Sequence, residues 1–192
     1  MKQQIQNAEG TIGIQAQQQT RARNTEQLQT MIQEKQQEMN QELQSLGDKD
    51  KQKVYQNQNQ VRAAVHVLLA TEDLIGGIGT QVSEIAQQFN NSVQKTILAE
   101  EKIQNRGGLA RFFFGGDKDS AEVIEQEVNQ SQERILVLKQ LRDDCPCQQE
   151  VEEVISEQIQ NIEQEQNRLE QLAQEQKIKK GVFGWLFGWL SK

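Results

Sequence analysis

The sequence predicts an all-α protein, an elongated antiparallel helical bundle or coiled coil with one long central helix. Apolar residues from position 54 to 103 recur at spacings of three and four, which places them on one face of a helix. Only one proline occurs in 192 residues, and the helix-favouring Gln, Glu, Lys and Arg are abundant. A hydrophobic content of 35% and an aromatic content of 5% indicate narrow buried stripes instead of a thick core.

The first part of the chain is rich in glutamine and has the weakest apolar pattern. Residues 1–23 are therefore predicted to form a flexible or frayed arm, and residues 24–180 the bundle. The first predicted helix spans about 24–46, where apolar side chains keep to one face. Gly47 and Asp48 end this run as a C-terminal cap does, and they start the first helical hairpin.

The central helix is predicted to run without a break over about 50–105. At 1.5 Å per residue, its length would be roughly 80 Å. Gly76, Gly77 and Gly79 lie within it, and each costs about 1 kcal/mol relative to alanine. The seven-residue apolar register is the same on both sides of these glycines, so we expect a continuous helix. The alternative is a break that gives two shorter helices.

An aromatic loop is predicted over residues 106–117. Three adjacent phenylalanines stand between two Gly-Gly pairs, and they cannot all face one core. We expect one or two of them to close the end of the bundle and at least one to point outward. The residues assigned here to membrane or partner contact are Leu109, Arg111, Phe112, Phe113 and Phe114.

Two more helices are predicted, over about 119–144 and 147–180, with Pro146 between them. The residue before a proline disfavours helix, and proline suits the first turn of a new one. Cys145 and Cys147 flank this proline. We interpret them as part of an ordinary turn, because a disulfide across one residue closes a small strained ring. The alternative is a metal or disulfide link between two chains.

The C-terminal segment, residues 181–192, repeats Phe-Gly-Trp-Leu twice and is predicted to be an apolar anchor. Tryptophan prefers the headgroup boundary of a membrane, and flanking lysines attract anionic lipid. The alternatives are a tail that folds back on the bundle and a chain–chain contact through its glycines. The contact residues assigned to this segment and its flank are Lys179, Lys180, Val182, Phe183, Trp185, Leu186, Phe187, Trp189 and Leu190.

The order of the helices predicts where the two apolar segments lie. If the central helix runs up to the aromatic loop, the next helix runs down to Pro146 and the last runs up again. The two return helices differ in length by about one or two turns. The C-terminal segment should therefore emerge beside the aromatic loop.

Several classes of function are not expected from this sequence. The net charge is −7, and no cluster of Lys and Arg is large enough for a nucleic-acid surface. No phosphate-binding glycine loop, nucleophile elbow or metal-ligand spacing occurs, so we expect neither an enzyme, a cofactor nor a small-molecule substrate. His66 is the only histidine and is interpreted as structural.

Two glutamates, Glu72 and Glu100, fall on the apolar seam of the central helix. Buried polar residues in coiled coils can set the register at some cost in stability. If both are deeply buried, their candidate partners are Arg134, Lys139 and Arg142, and the sequence does not determine which pairs with which.

The location and function follow from these features. The chain shows no signal peptide and no run of about 18 apolar residues, which predicts a cytoplasmic protein, peripheral on the inner face of the membrane. We expect a non-enzymatic, homo-oligomeric coiled-coil protein that presents both apolar segments at one end to an anionic membrane surface or a membrane-bound protein. The alternative is a soluble oligomeric scaffold or adaptor. A pore-forming hairpin ranks last, because its apolar stretch is too short to cross a bilayer.

The Gln/Glu/Ala/Ser-rich repeats of residues 80–101 resemble the cytoplasmic coiled coils of chemoreceptors. This resemblance covers a small part of the chain, and it implies a further alternative, a signalling coiled coil. The three phenylalanines are unlike the signalling tip of those proteins.

Overall fold

Six α-helices make up most of residues 21–182, the part of the chain that the computed structural model describes, and this part contains no strand. They are α1 (Thr25–Ser45), α2 (Lys49–Ala70), α3 (Gly79–Asn105), α4 (Gly108–Phe114), α5 (Lys118–Asp143) and α6 (Gln149–Ile178). The predicted all-α helical bundle is therefore confirmed, while coiled-coil packing stays a prediction. Most of the predicted N-terminal arm lies outside the described residues.

Short polar side chains cap the starts of three helices. The side chain of Asn24 accepts a hydrogen bond from the backbone N–H of Gln27 at the start of α1. Asp48 and Asp117 cap α2 and α5 in the same way. Each cap satisfies a backbone donor that the helix leaves unpaired, and it contributes about 1 kcal/mol. These caps place the helix starts close to the predicted positions.

The predicted continuous central helix is wrong. Residues 71–78 leave the α-helix in two short 3₁₀ turns, Glu72–Leu74 and Gly76–Ile78, and α3 then packs back along α2. Gly76 adopts a φ of 61°, which disfavours residues other than glycine. A Cβ atom at Gly79 would lie 2.1 Å from the carbonyl oxygen of Glu72. The glycines therefore make a tight reversal instead of a soft point in one rod.

The unchanged apolar register misled the prediction for a physical reason. Leu68 before the reversal, Ile75 within it, and Val82 and Phe89 after it are all buried in one core cluster. Both helices turn their apolar faces to that shared core, and the reversal contributes a core residue of its own. The apolar repeat therefore continues through a change of chain direction.

Helices α2, α3, α5 and α6 form a ring in which each packs against two neighbours. The chain order makes every neighbouring pair antiparallel, because each successive helix returns along the one before it. Helix α1 lies outside this ring against α2, and Ala22 N–H donates to the carbonyl of Ala70 at 2.9 Å. The longest helix has 30 residues, so the bundle is about 45 Å long, near half of the predicted length.

The bundle has two distinct ends. At one end lie the α1–α2 turn, residues 106–117 and the end of α6; we call this end the aromatic pole. At the other end the α2–α3 reversal lies next to the α5–α6 turn, where Gly76 approaches the ring of Pro146. Fully buried side chains such as Phe89, Leu138 and Ile159 fill the space between the two ends.

The two cysteines of the α5–α6 turn are joined to each other. Cys145 and Cys147 form a disulfide with a Cα–Cα distance of 5.2 Å. The interpretation as an ordinary turn without a cross-link is therefore wrong. Pro146 bends the chain between the two helices, which brings the two Cα atoms within the usual range for a disulfide.

The aromatic pole as candidate functional site

The predicted aromatic loop contains a short helix, α4, that is fastened to the end of α3. The guanidinium of Arg111 donates hydrogen bonds to the carbonyl oxygens of Ile103 at 2.7 Å and Gln104 at 3.0 Å. These carbonyls belong to the last turn of α3, where backbone acceptors lack helical partners. Arg111 therefore caps α3 and at the same time fixes the orientation of α4.

The apolar side chains of α4 face away from the bundle. Phe112 is 60% exposed and Phe114 is 66% exposed, and Leu109 is also exposed. Phe113 is less exposed, and its ring packs edge-on against that of Phe112 with the ring centroids 5.1 Å apart. At least one phenylalanine was expected to point outward, and this is confirmed. None of the three is buried in the end of the bundle, so that expectation is wrong.

Ile178, in the last turn of α6, adds a further exposed apolar side chain at this pole. The sequence prediction missed it because Ile178 lies outside the buried stripe of α6. Its position next to the C-terminal segment is the signal that could have identified it.

The C-terminal segment begins against α4 and the two glycines that follow it. The N–H of Gly116 donates to the carbonyl of Lys179 at 3.0 Å. A Cβ atom at Gly181 would lie 2.3 Å from the carbonyl oxygen of Phe113. Gly115 has a φ of 79°, and a Cβ there would lie 2.3 Å from the carbonyl oxygen of Lys179. The two backbones are therefore in direct contact, which requires glycine on both sides.

The prediction that the C-terminal segment starts beside the aromatic loop is therefore confirmed for residues 179–181. It holds although the central helix is broken, because the directional argument depends only on α3, α5 and α6. Lys179 and Lys180 are exposed, and Val182 is partly buried. The remaining residues assigned to this segment lie outside the described part of the chain; they are Phe183, Trp185, Leu186, Phe187, Trp189 and Leu190.

Charged residues surround the aromatic pole. Lys179 lies 3.4 Å from Glu175, and both are exposed, so this pair contributes little to stability. Arg106 lies 3.8 Å from Asp117 at the start of α5. Lys180 and Lys53 have no ion pair within residues 21–182. The pole therefore presents lysine ammonium groups that are not neutralised by the described residues.

A buried cluster of charges lies directly beneath this pole. Glu100 is fully buried and accepts two hydrogen bonds from Arg168, at 2.8 and 2.6 Å, and one from Gln58 at 2.6 Å. Arg168 also donates to Glu165 at 2.8 and 2.6 Å. One guanidinium thus forms hydrogen bonds with two carboxylates, and the cluster connects α2, α3 and α6.

The burial of this cluster changes the protonation of its members. Burial raises the pKa of Glu165 to about 7, although the hydrogen bonds and charge of Arg168 oppose the change. Burial alone would lower the pKa of Arg168, but its bonds to the two carboxylates outweigh burial and raise that pKa. Arg168 therefore stays charged, while Glu165 can exchange a proton near neutral pH.

None of the three candidate partners pairs with either seam glutamate among the described residues. Arg134, Lys139 and Arg142 all lie on α5, whereas Glu100 pairs with Arg168 of α6. The side chain of Glu72 is not deeply buried in the core; it pairs with Arg21 at 2.7 Å in the α2–α3 reversal. The arrangement of helices around the ring determines which cation faces which glutamate, and spacing within one helix cannot show this.

The fold and this pole define an all-α helical bundle with an exposed aromatic helix at one end. No family model matches the sequence, and no curated protein or solved structure shows significant similarity to it. Within the described range, every helix is too short or too polar to cross a membrane. The same residues contain no group of three or more His, Cys, Asp and Glu placed to hold a metal ion.

Proposed function

We propose that the protein is a non-enzymatic helical bundle that attaches peripherally to an anionic membrane surface through its aromatic pole. The observation that carries this proposal is the backbone contact between residues 179–181 and residues 113–116. Because of this contact, the apolar C-terminal segment begins next to the exposed aromatic helix. Both can therefore reach the same surface without any rearrangement of the bundle.

The size of the apolar contribution supports a two-part anchor. Full burial of a large apolar side chain contributes about 1.5–3 kcal/mol. Leu109, Phe112 and Phe114 are each more than half exposed, so their insertion would contribute roughly 3–6 kcal/mol in total before ordering costs. That is enough only for marginal binding, and stable peripheral attachment usually combines two signals. The Trp-containing segment and the nearby lysines would supply the second signal.

The proposed location is the cytoplasmic face of the membrane. That leaflet carries anionic lipid, and each lysine or arginine near it contributes about 1 kcal/mol of attraction. Lys179 and Lys180 stand at the junction between the aromatic helix and the C-terminal segment. They therefore lie where a membrane-bound pole would meet the headgroups. A membrane-bound protein with an acidic rim would offer similar chemistry and is the second form of this proposal.

A soluble homo-oligomeric scaffold is the alternative function, and one observation favours it. Leu98 on α3 and Leu136 on α5 are 59% and 67% exposed, and both lie on the sides of the bundle, Leu98 about two turns from the aromatic pole and Leu136 farther from it. Exposed leucines on the sides of a bundle are suited to contact with a second copy or a partner. This alternative predicts that the aromatic pole and residues 182–192 contribute to the assembly and that lipid binding is absent.

Flotation with lipid vesicles tests the proposal. The full chain should float with vesicles that contain anionic lipid and much less with neutral vesicles, whereas a chain that ends at Lys180 should float weakly. A double variant, Phe112→Ser with Phe114→Ser, should also float weakly. The matched control is Leu98→Ser with Leu136→Ser, which removes side chains of nearly equal exposure from the sides of the bundle.

Each possible result has a defined meaning. Equal flotation of the full chain and the truncated chain would exclude the C-terminal segment from the mechanism. Equal flotation of the phenylalanine and leucine variants would reject the aromatic pole as the contact surface. Light scattering of the same proteins tests the alternative, because a scaffold predicts a change in oligomer mass on truncation.

A further inference from the structure

A cavity of about 510 Å³ opens beside α4 at the aromatic pole. Its wall is built by α2, α3 and α6, by Arg111 of α4, and by Gly115 and Gly116. This volume lies within the range of small-ligand sites and exceeds what a single inorganic phosphate needs. The cavity therefore has room for a phosphate group together with part of the molecule that carries it.

The wall of this cavity is positively charged, although the whole chain carries a net charge of −7. Within residues 21–182, five cationic side chains line it: Lys53, Arg111, Arg168, Lys179 and Lys180. Only two carboxylates of the described residues do so, those of Glu100 and Glu175. The wall therefore has an excess of three positive charges, or of two if Glu165, which shares Arg168, is included. An anion is the ligand that this charge distribution favours.

The carboxylates in the wall already have partners within the protein. Arg168 and Gln58 bind Glu100, and Lys179 pairs with Glu175. In the part of the chain that the structure describes, Arg111 donates to uncharged carbonyl groups, which leave its positive charge in place. Lys53 and Lys180 have no ion pair within the described residues. The available charges therefore belong to groups that bind phosphate well.

We infer that this cavity binds the phosphate group of an anionic lipid, whose acyl chains extend over the exposed side chains of α4. The cavity and the apolar side chains of α4 are neighbours, because Arg111 lines the cavity and the next residue, Phe112, is exposed. This inference rests on the proposed membrane attachment and adds its ligand class. It makes the pole a specific headgroup site in addition to a general basic surface. A free phosphate ion would use the same groups, and the experiment separates the two sources.

The test measures binding of soluble short-chain lipid to the full chain by titration calorimetry at constant ionic strength. The probes are dihexanoylphosphatidylglycerol below its micelle concentration, the phosphatidylcholine of the same chain length, and inorganic phosphate. The variant is Lys53→Gln with Lys180→Gln, which removes two exposed lysines from the cavity wall. The matched control is Lys51→Gln with Lys118→Gln, which removes the same charge from outside the cavity at the same pole.

We expect the full chain to bind the anionic lipid more tightly than the other two probes. The cavity variant should bind it about 25-fold more weakly, because each lysine contributes about fivefold. The control variant should bind as the unmodified chain does. Equal losses in the two variants would overturn the cavity as a site. Equal affinity for inorganic phosphate and lipid would keep the phosphate site but overturn lipid as its ligand.

Failure of this inference can be distinguished from failure of membrane attachment. If the aromatic pole drives vesicle flotation and the two lysine variants float equally, membrane attachment stands and the cavity inference fails. If the short-chain lipid binds in the cavity and no vesicle is bound, the cavity inference stands and membrane attachment fails. All four lysines are exposed, so thermal unfolding of both variants should match that of the unmodified chain.

Discussion

Replacing Glu165 with glutamine should remove a pH-dependence of stability that the buried charge cluster produces. Burial raises the pKa of Glu165 from its ordinary value of 4.5 to about 7 in the folded state. The folded protein therefore holds the proton more tightly than the unfolded chain does. The resulting stabilisation is fully present below about pH 4.5 and is lost as the pH rises through about 7.

The magnitude follows from the two pKa values. At 1.36 kcal/mol per pH unit, the interval from 4.5 to about 7 corresponds to about 3 kcal/mol. The side chain of Glu165 is only 2% exposed, so solvent screens this effect little. Glu100 and Arg168 are its charged neighbours, and Glu165→Gln leaves them paired with each other. The glutamine oxygen can still accept one hydrogen bond from Arg168.

Urea unfolding, followed by circular dichroism from about pH 4.5 to about pH 8, measures the effect. The free energy of unfolding of the unmodified chain, minus that of Glu165→Gln, should fall by about 3 kcal/mol across this range. The matched control is Glu163→Gln, which removes a half-exposed carboxylate two residues away on the same helix, together with its ion pair to Lys139. Burial lowers the pKa of His66, so the contribution of His66 to stability rises with pH. His66 is present in every protein compared, and its effect on the difference therefore cancels.

Parallel stability profiles for the unmodified chain and Glu165→Gln would refute this reasoning. They would mean that the pKa of Glu165 in the folded state stays near its ordinary value of 4.5, because the hydrogen bonds and charge of Arg168 offset burial. A difference that grows with rising pH would contradict the sign of the argument directly.

The remaining predictions concern glycines at the two ends of the bundle. In a continuous helix, Gly79→Ala would stabilise the protein by roughly 1 kcal/mol. In the reversal it should instead destabilise the protein by several times that amount, because the Cβ atom would collide with the backbone of Glu72. The control is Gly77→Ala, whose Cβ atom would lie in open space. A gain in stability for Gly79→Ala in urea unfolding would disprove the reversal. Gly116→Ala should likewise be destabilising by a few kcal/mol and should increase proteolysis near the C-terminal segment, whereas Gly107→Ala should do neither. Equal proteolysis of these last two variants would show that the backbone contact is not needed to hold the segment.

The helical character of the chain could be predicted because it depends on local properties. Composition, apolar spacing and the positions of Gly47 and Pro146 predict helices whose outer boundaries are close to those observed. The failure at residues 71–78 has a different origin. The three glycines disfavour a helix there, but the unchanged apolar repeat favours one continuous helix. An apolar repeat reports which residues face a core, and it carries no information on the direction of the chain.

The candidate site could be predicted only in part for a similar reason. Leu109 and the three phenylalanines were recognised because too many apolar side chains occur together between glycines. Their arrangement on a short helix fastened by Arg111 was not predicted, since it depends on the carbonyls of another helix. The cavity was also missed, because its lysines come from positions more than a hundred residues apart.

The sequence by itself determined that this chain forms helices with narrow apolar stripes, and that its last helix returns to the aromatic segment. These properties follow from helix propensity and from the order of the turns, and both depend only on the local sequence. Only the tertiary structure decided that the central segment folds back on itself, that Glu100 pairs with Arg168, and that cations gather around one cavity. Those outcomes depend on which faces of the helices contact each other across the bundle. Contact between segments that are distant in the sequence is set by packing in three dimensions.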